Sequence, residues 1–348
     1  MAGWIILRRL RVLYIFTSAA SRRHPLCANS LRGRVAAVDI IPPVIFLMGP
    51  TASGKTALAV ELVQRLPCDI VSVDSAMVYR GLDIGTAKPG PEVLAQAPHR
   101  LIDIRDPAQG YSAADFRTDA LAHMAKITAA GRIPLLVGGT GLYFRALEQG
   151  LSSLPAADPE IRRQLEDEAS VSGWPALHAR LAEVDAEAAG RIHPNDPQRI
   201  QRALEVYQLS GRPLSDWHRQ QTARPLPYRI YKFVLWPADR QQLYQRIEQR
   251  FAAMLEQGLL DEVAALYQRG DLVSGLPALR AVGYRQLWGY FAGDCDMATA
   301  VRLATTASRQ YAKRQLTWLR GLAGLVQLDA GAENNSDKVL KSLGQASI

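Results

Sequence analysis

From residue 44 onward, short apolar runs alternate with stretches that have a helical pattern. Residues 44–48 (VIFLM), 70–73 (IVSV) and 133–137 (IPLLV) are apolar runs of strand length, and each is followed by a turn and a candidate helix. Such runs are typical of a parallel sheet that is covered by helices on both faces. The alternation predicts three successive βα units and an α/β fold.

The pattern changes near residue 150. Residues 158–162 and 174–189 predict helices, and Asp196 and Pro197 are residue types preferred at an N-cap and at a first helical position. A strand pattern returns only at 229–236 (RIYKFVLW), and long helical stretches follow it. The order of these patterns indicates a helical segment inserted into a parallel-sheet core.

These changes of pattern divide the chain into four predicted regions. The N-terminal leader does not fit the α/β pattern, and the polar tail is expected to fray from Asp329 onward. The regions are a leader over 1–40, an α/β core over 41–150 and 228–325, an α-helical insertion domain over 151–227, and a tail over 326–348.

The formal net charge of +8 is concentrated near the N-terminus. Seven of the 41 basic residues lie within residues 1–38, which contain no acidic residue, and the other 34 are balanced by 33 acidic residues. The total charge therefore does not by itself indicate a polyanion-binding protein. An Arg-rich leader without acids is typical of an organellar transit peptide, but a loose extension or a start codon assigned too early gives the same pattern. Its apolar stretch is too short to favour a secretory signal.

The composition, with 48% hydrophobic and 21% charged residues in 348, is that of a globular protein of about two domains. No apolar run approaches the roughly 18 residues of a membrane span, because Pro42 and Pro43 interrupt the run before residue 49. The three cysteines are far apart without a CxxC motif, which argues against a disulfide framework and a zinc module. A reducing compartment such as the cytoplasm fits best, with no membrane partner.

Residues 49–56 (GPTASGKT) match the phosphate-binding loop G-x-x-x-x-G-K-[ST], and a predicted strand and helix flank them. In such a P-loop the backbone N–H groups and the helix start face phosphate oxygens. Lys55 adds a positive charge, and Thr56 is placed to bind Mg²⁺. The motif predicts a P-loop NTPase-like sheet and a di- or triphosphate ligand. The residues expected to bind it are Gly49, Pro50, Thr51, Ala52, Ser53, Gly54, Lys55 and Thr56.

The P-loop leaves the reaction open. It is compatible with an RNA-stimulated ATPase, an ATP-dependent kinase, or an enzyme from whose substrate diphosphate is released. A non-catalytic RNA-binding protein is a third class, although binding alone would not need an intact P-loop. The residues at the same edge of the sheet must distinguish these classes.

Two polar residues are predicted to lie beside the P-loop. Asp74 follows the strand at 70–73, and the carboxyl ends of parallel strands are where such sheets bind ligands. Its carboxylate could bind Mg²⁺, accept a proton as a general base, or cap the next helix. Thr140 follows the strand at 133–137 in a Gly-Gly-Thr-Gly turn, which by itself is more often a tight turn than a site.

Three other polar segments have both a functional and a structural interpretation. The loop 83–89 contains one cation and is equally consistent with a solvated loop. Arg199 and Arg202 lie on one helical face, and a second basic stripe follows a later helix near Tyr311 and Trp318. Its members are Arg302, Arg309, Lys313 and Arg320. Each stripe could bind nucleic-acid phosphates or could be a solvated charged face.

Taken together, these motifs resemble the tRNA dimethylallyltransferases, also called tRNA isopentenyltransferases. The resemblance covers residues 44–320 in collinear order. The motifs that carry it are 49–56 (GPTASGKT), 72–75 (SVDS), 83–89 (DIGTAKP), 138–143 (GGTGLY), 196–205 (DPQRIQRALE), 282–286 (VGYRQ) and 313–320 (KRQLTWLR). Their order and spacing are far more specific than a P-loop alone.

The resemblance implies transfer of a dimethylallyl group from dimethylallyl diphosphate to N6 of the adenine 3′ of the tRNA anticodon, with Mg²⁺ as cofactor and release of diphosphate. It implies that Lys55 and the P-loop bind the diphosphate, that Asp74 is the general base, and that Thr140 holds the amine. The adenine would have to flip out of its stack to reach the donor.

The resemblance also implies a set of tRNA-contacting residues. They are Asp74, Ser75, Ala76, Met77, Thr140, Arg162, Gln198, Arg199, Ile200, Gln201, Arg202, Arg280, Ala281, Val282, Gly283, Tyr284, Lys313, Arg314, Gln315, Leu316, Thr317, Trp318, Leu319 and Arg320.

Two features depart from the pattern of this family. Its members often carry paired histidines before Leu-Ile-Asp, whereas His99 is followed here by Arg100, so no role is expected for that segment. The leader has no counterpart in the bacterial form. The absence of the C-terminal zinc finger of eukaryotic members favours the bacterial type, a cytoplasmic location and a monomer, with an organelle as the alternative if the leader is a transit peptide.

Overall fold

The computed structural model describes residues 41–220 and 225–345, so the proposals for the leader at 1–40 lie outside the described residues. Its strands form a single sheet in the order β3-β2-β4-β1-β5-β6, and every pairing is parallel. The four strands predicted from the apolar runs are confirmed. The strands are β1 (Pro43–Met48), β2 (Cys68–Val73), β3 (His99–Arg100), β4 (Ile133–Gly138), β5 (Arg229–Trp236) and β6 (Leu325–Asp329).

At least one helix separates each described strand from the next, as the alternation predicts for an α/β fold. A short 3-10 helix, Ala278–Arg280, precedes the twelfth α-helix. The α-helices are α1 (Lys55–Arg65), α2 (Pro91–Gln96), α3 (Ala113–Ala129), α4 (Gly141–Gln149), α5 (Pro159–Ser172), α6 (Trp174–Val184), α7 (Ala186–Arg191), α8 (Pro197–Ser210), α9 (Leu214–Arg219), α10 (Arg240–Glu256), α11 (Leu259–Gln268), α12 (Tyr284–Phe291), α13 (Met297–Arg320) and α14 (Asn335–Gln345).

The central strand β1 separates two hydrophobic cores. Its side chains alternate between them: Phe46 and Met48 face a core that includes α3, α4 and α11–α13, while Ile45 and Leu47 face a core with α1 and α14. All four side chains are buried. Burial on both faces explains why this strand reads as a continuous apolar run rather than as an alternating one.

Every regular element between residues 151 and 219 is a helix. Asp158 and Asp196 cap α5 and α8, each with Pro at the first position of the helix, as predicted. The predicted helix over 174–189 is interrupted, because the Asp185 carboxylate caps α7 and the chain bends between α6 and α7. Helices α5–α8 pack around a hydrophobic cluster of their own. The assignment of 151–227 as a separate domain stays a prediction.

The expectation that the tail frays from Asp329 onward is wrong for residues 329–345. Strand β6 pairs with β5, with Leu328 buried against the sheet. Helix α14 then packs on α1: Val339 is buried, and Arg65 pairs with Asp337 at 2.6 Å. The polar composition of the tail conceals these elements, because only a few of its side chains are apolar and used for packing.

The sheet brings three loops to one edge. Strands β1, β2 and β4 are adjacent and parallel, so the P-loop, Asp74 and the Gly139–Thr140 turn, which follow them, emerge side by side. Among the described helices, none is both long and apolar enough to cross a membrane.

Candidate active site

The P-loop lies between β1 and α1 and has a constrained backbone. Gly54 adopts a left-handed conformation at φ 87°, which favours glycine, and it immediately precedes the first residue of α1. A Cβ at Gly49 would lie 2.7 Å from Ser53 Oγ and 3.0 Å from the Leu235 carbonyl, so that position has no room for a side chain. These features leave the amides at the start of α1 available to an anion.

Lys55 folds back over the P-loop. Its Nζ donates to the Pro50 carbonyl at 2.6 Å and lies 3.5 Å from Ser53 Oγ. Burial and the nearby Arg250 guanidinium lower its pKa to about 8, although the Asp74 carboxylate acts in the opposite direction. The ammonium group is therefore close to its titration range under neutral to mildly basic conditions, and an anion beside it would favour the charged form.

Asp74 follows β2 directly and faces the P-loop cavity described below. Its Oδ1 accepts hydrogen bonds from the backbone N–H groups of Ala76 at 2.8 Å and of Met77 at 3.3 Å. These bonds hold a turn, since the next helix begins only at Pro91. The hypothesis that Asp74 caps the next helix is therefore wrong, while its roles as a base and as a metal ligand both stay compatible with the geometry.

Thr140 connects the turn after β4 to the turn after β2. It occupies the N-cap position of α4, but its hydroxyl does not cap that helix. Instead its Oγ1 accepts a hydrogen bond from the Ser75 N–H at 3.2 Å, and it interacts with the Tyr311 hydroxyl. Burial and the Asp74 charge raise the pKa of Tyr311 to about 12, although hydrogen bonds with Thr140 and Gln315 act in the opposite direction. Tyr311 therefore remains a neutral donor beside Asp74.

Gln315 links the P-loop to the turn after β4. It is buried on α13, its Oε1 accepts from the Thr51 N–H at 2.9 Å, and its Nε2 donates to the Gly139 carbonyl at 2.9 Å. The sequence predicts Gln315 as a tRNA contact. Both ends of its amide are instead used inside the protein, which assigns it to the support of the P-loop.

Arg250 is a site residue that the sequence analysis did not identify. It projects from α10, donates to Thr51 Oγ1 at 3.4 Å, and has its pKa lowered by burial against the opposing effect of Asp74. The signal was present in the pattern, because Arg250 lies three residues after Ile247 on the apolar side of the helix. A cation on an apolar face is an informative exception to amphipathic patterning.

Two adjoining cavities meet at this edge of the sheet. The P-loop cavity, about 190 Å³, is lined by Thr51 to Thr56 and by the turns after β2 and β4. The second, about 360 Å³ and here called the helix cavity, is lined mainly by α10, α13 and the segment 277–282. The residues that line both cavities are Thr51, Asp74, Thr86, Arg250 and Tyr311. Asp74 thus lies at the junction.

The loop 83–89 forms part of the wall of both cavities. Its cation, Lys88, is buried: Nζ donates to the Tyr79 carbonyl at 2.9 Å and to Asp103 at 2.5 Å, and it also pairs with Asp83. Lys88 therefore holds the loop together instead of facing a ligand. His99, to which no role is assigned from the sequence, lines the P-loop cavity, and burial lowers its pKa.

About a third of the predicted tRNA contacts line the two cavities. Of these cavity-lining residues, Met77 and Gln315 line the P-loop cavity, Asp74 lines both cavities, and the others line the helix cavity. Those in the helix cavity are Ser75, Ala76, Arg280, Ala281, Val282 and Arg314.

The structure corrects the expectation for four other residues. The side chains of Ile200, Tyr284, Leu316 and Leu319 are buried at 0–3% exposure and pack in the protein interior. They supply the apolar faces of α8, α12 and α13, so they cannot present a side chain to RNA. Family resemblance alone did not separate the buried from the exposed face of each helix.

Arg162 and Arg202 bind a buried carboxylate within the helical segment. Glu205 on α8 is fully buried, accepts from Arg162 Nε at 2.8 Å and Arg202 Nη1 at 2.5 Å, and also accepts from the Asp158 N–H. Burial alone would raise its pKa, but these donors together lower it. Arg199 differs: it lies 3.4 Å from the Asp196 carboxylate, but its side chain is 71% exposed. Gln201 contacts the Arg162 carbonyl and Glu166, and Gln198 is exposed.

The predicted basic stripe on α13 is only partly free. Arg309 pairs with Glu248 on α10, and the Arg320 guanidinium lies 5.5 Å from the Trp236 ring. Arg302 and Lys313 are exposed. Thr317 and Trp318 line a third cavity of about 380 Å³ beside α4, away from the P-loop.

Proteins of known family are similar to this chain over most of its length. The model of the IPP transferase family matches residues 77–322. The chain belongs to the IPP transferase family. It is 67% identical over 288 residues to a tRNA dimethylallyltransferase of Thioalkalivibrio sulfidiphilus (strain HL-EbGR7), which covers 83% of this chain and 90% of that protein. The family resemblance inferred from the motifs is confirmed.

Solved IPP transferase structures share the fold. A full-length tRNA isopentenylpyrophosphate transferase from Bacillus halodurans is 37% identical, with a TM-score of 0.64, over 87% of this chain and 96% of that one. A eukaryotic dimethylallyltransferase acting on tRNA is 25% identical, with a TM-score of 0.73, over 87% and 79%. The predicted α/β, P-loop-like fold class is confirmed.

Proposed function

We propose that this protein transfers a dimethylallyl group from dimethylallyl diphosphate to N6 of the adenine 3′ of a tRNA anticodon and releases diphosphate. One observation carries the proposal beyond family membership: the cavity at the P-loop and the helix cavity meet at Asp74. A diphosphate at the P-loop would therefore have its reacting carbon directed towards a carboxylate and towards an entrance for a base.

The P-loop side supplies the positive charge that a diphosphate leaving group requires. The amides at the start of α1, Lys55 and Arg250 surround one cavity. As the C1–O bond of the donor breaks, its electron pair remains on the diphosphate, and fixed positive groups stabilise that growing charge. Thr51 connects to Arg250 and Gln315, so the loop is held from two helices.

On the other side of the junction, Asp74 accepts the proton that the adenine N6 loses as its bond to C1 forms. The turn at Ala76 and Met77 fixes the carboxylate through Oδ1. Thr140 and Tyr311 lie beside it with hydroxyl groups that can orient the amine. Asp74 therefore acts as the base in this proposal, with Thr140 as a positioning group.

The residues at the P-loop fit Mg²⁺ as the cofactor. Thr56 and Asp74 offer oxygen ligands to the same cavity, and within the described part of the chain no group of three His, Cys, Asp or Glu side chains could form a metal cage by itself. Mg²⁺ typically combines one or two protein oxygens with substrate phosphates and water. When bound, it would neutralise charge on the diphosphate, with Thr56 as its expected protein ligand.

The tRNA is proposed to approach the helix cavity. Arg280 and Arg314 line that cavity, and Arg199 and Lys313 are exposed cations on α8 and α13. Phosphate contacts from such residues would position the anticodon stem-loop, and the flipped adenine would enter between α10 and α13. We further propose that the protein acts as a monomer in the cytoplasm.

The decisive experiment is transfer of labelled dimethylallyl from its diphosphate to undermodified tRNA by the purified full-length protein with Mg²⁺. We expect label in tRNA and stoichiometric diphosphate, and no label when the adenine next to the anticodon is replaced. The comparisons give no support to a P-loop kinase or ATPase. ATP turnover without prenyl transfer would nevertheless overturn the proposal, as would salt-sensitive tRNA binding with no transfer of label.

A further inference from the structure

The loop 83–89 is a wall shared by the two cavities. Gly85 and Thr86 line the helix cavity, and Thr86, Ala87 and Pro89 line the P-loop cavity. A displacement of this loop would change the space in which the donor carbon and the acceptor amine meet. The contacts that hold the loop in place therefore affect the reaction as well as the stability of the protein.

One carboxylate on α11 binds the first half of this loop. Glu262 Oε2 accepts from the N–H groups of Asp83 at 2.9 Å and Ile84 at 2.8 Å, and Oε1 accepts from the Gly85 N–H at 3.2 Å. Oε1 also accepts from the Tyr284 hydroxyl at 2.5 Å. We call these four hydrogen bonds the Glu262 clamp. Four donors match the four acceptor positions of a carboxylate.

The Glu262 clamp joins two walls of the helix cavity. Tyr284 is fully buried and follows the segment 280–282, which lines that cavity together with Gly85. Gly85 lies flat against the Tyr284 ring, since a Cβ there would be 2.5 Å from Cε2. Burial and the adjacent Glu262 charge raise the pKa of Tyr284, so its hydroxyl stays a donor.

The second half of the loop is held separately. The Lys88 ammonium binds the Asp83 and Asp103 carboxylates and the Tyr79 carbonyl. The backbone N–H of Lys88 donates to the Asp83 carbonyl at 3.0 Å. Ala87 and Pro89, which line the P-loop cavity, are adjacent to Lys88. The loop thus has two anchors, with Glu262 on the side of the helix cavity and Lys88 on the side of the P-loop.

We propose that Glu262 is a positioning residue for the acceptor side of the reaction. It holds Gly85 and Thr86 against the segment 280–284. The helix cavity thereby keeps the width that the incoming adenine needs. This rests on the proposed function for the identity of the acceptor. It assigns a role to a residue that lines neither of the two cavities and acts through the backbone of the loop.

Glu262→Gln is the variant that tests the clamp, because it preserves size while replacing an acceptor oxygen by an amide group that only donates. That group would face N–H or O–H donors, so at least one of the four bonds becomes a repulsive contact. Asp261→Asn is the matched control: it removes one negative charge from the same first turn of α11, and Asp261 is exposed.

At a temperature where both variants are folded, we expect Glu262→Gln to lower kcat/KM for tRNA by about tenfold or more. Its affinity for pyrophosphate at the P-loop should stay within about twofold of the unmodified protein, because Lys88 anchors that side of the loop. Asp261→Asn should match the unmodified protein in both measurements. Unchanged transfer by folded Glu262→Gln, or an equal loss of pyrophosphate affinity, would overturn the positioning role.

Hydrogen exchange gives a readout that does not depend on the reaction. The amides of residues 83–85 donate to Glu262, so their exchange in Glu262→Gln should accelerate by more than tenfold while the Asp261→Asn control is unchanged. Tyr284→Phe removes a single bond of the clamp and covers the case in which Glu262→Gln does not fold; a smaller acceleration is expected there. Unaltered exchange would refute the clamp. Absence of transfer by the unmodified protein would refute only the proposed function.

Discussion

Gln315 on α13 accepts a hydrogen bond from the Thr51 amide in the P-loop at 2.9 Å. The two residues are 264 positions apart in the sequence. The other end of the same side chain donates to the Gly139 carbonyl, so a single buried amide fixes the loop after β1 relative to the loop after β4. The phosphate-binding loop therefore depends on the longest described helix for its shape.

Replacing Gln315 by Met should weaken both stability and phosphate binding. Met keeps the length of the side chain, but it leaves the Thr51 N–H and the Gly139 carbonyl without their partner, which costs about 1–3 kcal/mol of unfolding free energy. Urea denaturation and titration with pyrophosphate measure the two effects. Gln268→Met, at an exposed position, is the control and should alter neither. Equal behaviour of the two variants would show that the bridge is dispensable.

Asp74→Asn should slow transfer strongly without disturbing the turn. An amide oxygen can still accept from the Ala76 and Met77 amides, but it cannot take up a proton, so we expect the single-turnover rate to fall by about 10²–10⁴-fold. The rate should be measured below pH 7. Removing the Asp74 charge also lowers the pKa of Lys55, and Lys55 must keep its charge in both proteins that are compared. The exposed Asp294→Asn serves as control. Retention of the rate by Asp74→Asn would exclude the base.

Pyrophosphate affinity should decrease as pH rises through about 8. The Lys55 pKa is lowered to about 8 in the folded protein, so Lys55 carries its charge below that pH and loses it above. Binding an anion above pH 8 then requires uptake of a proton, and the affinity falls by up to about tenfold per pH unit.

Lys55→Arg provides the comparison for this pH dependence, because a guanidinium stays charged throughout the range. Isothermal titration calorimetry with pyrophosphate from pH 6.5 to 9.5 gives the affinities of the unmodified protein and of Lys55→Arg. We expect their ratio to change near pH 8. The protonation of pyrophosphate itself affects both affinities equally, so it drops out of the ratio. A ratio that is constant with pH would contradict the assigned charge state of Lys55.

Arg199 and Arg202 are three residues apart on α8 but should respond differently to substitution by Ala. Arg199 is 71% exposed, so its loss should weaken tRNA binding and reduce the slope of log affinity against log salt by about one. Arg202 is engaged with Glu205 and with the Pro155 carbonyl, so its loss should lower the unfolding free energy by about 1–3 kcal/mol.

Salt titrations of tRNA binding and urea denaturation of both variants separate these outcomes. We expect Arg199→Ala to denature like the unmodified protein and Arg202→Ala to keep most of its salt dependence. The reverse assignment, with a reduced salt slope in Arg202→Ala, would show that Arg202 leaves Glu205 to bind RNA.

The local part of the site was predictable from the sequence. The P-loop, Asp74 and Thr140 each follow an apolar strand, and the adjacency of parallel strands places their ends together. Helix caps and apolar runs depend on interactions within a few residues or on a regular repeat. Such features are contained in the sequence pattern itself.

The supporting part was not predictable in the same way. Arg250, Gln315 and Glu262 act through contacts with residues far away in the sequence, and each lies on a helix whose pattern gives no indication of its partner. Strand β6 and α14 were missed for a related reason, since they use few apolar side chains and rely on the pairing of β6 with β5 and on Arg65. Only the tertiary arrangement reveals these roles.

The packing of α14 on α1 also affects how the protein is made. The P-loop and α1 leave the ribosome well before β5, which pairs with β1, and before α14, which packs on α1. Until β5 has emerged, one edge of β1 has unpaired backbone N–H and C=O groups, and such an edge can pair with another chain. A chain that ends before α13 would also lack the Gln315 contact with the P-loop, so the diphosphate site can be completed only near the end of synthesis.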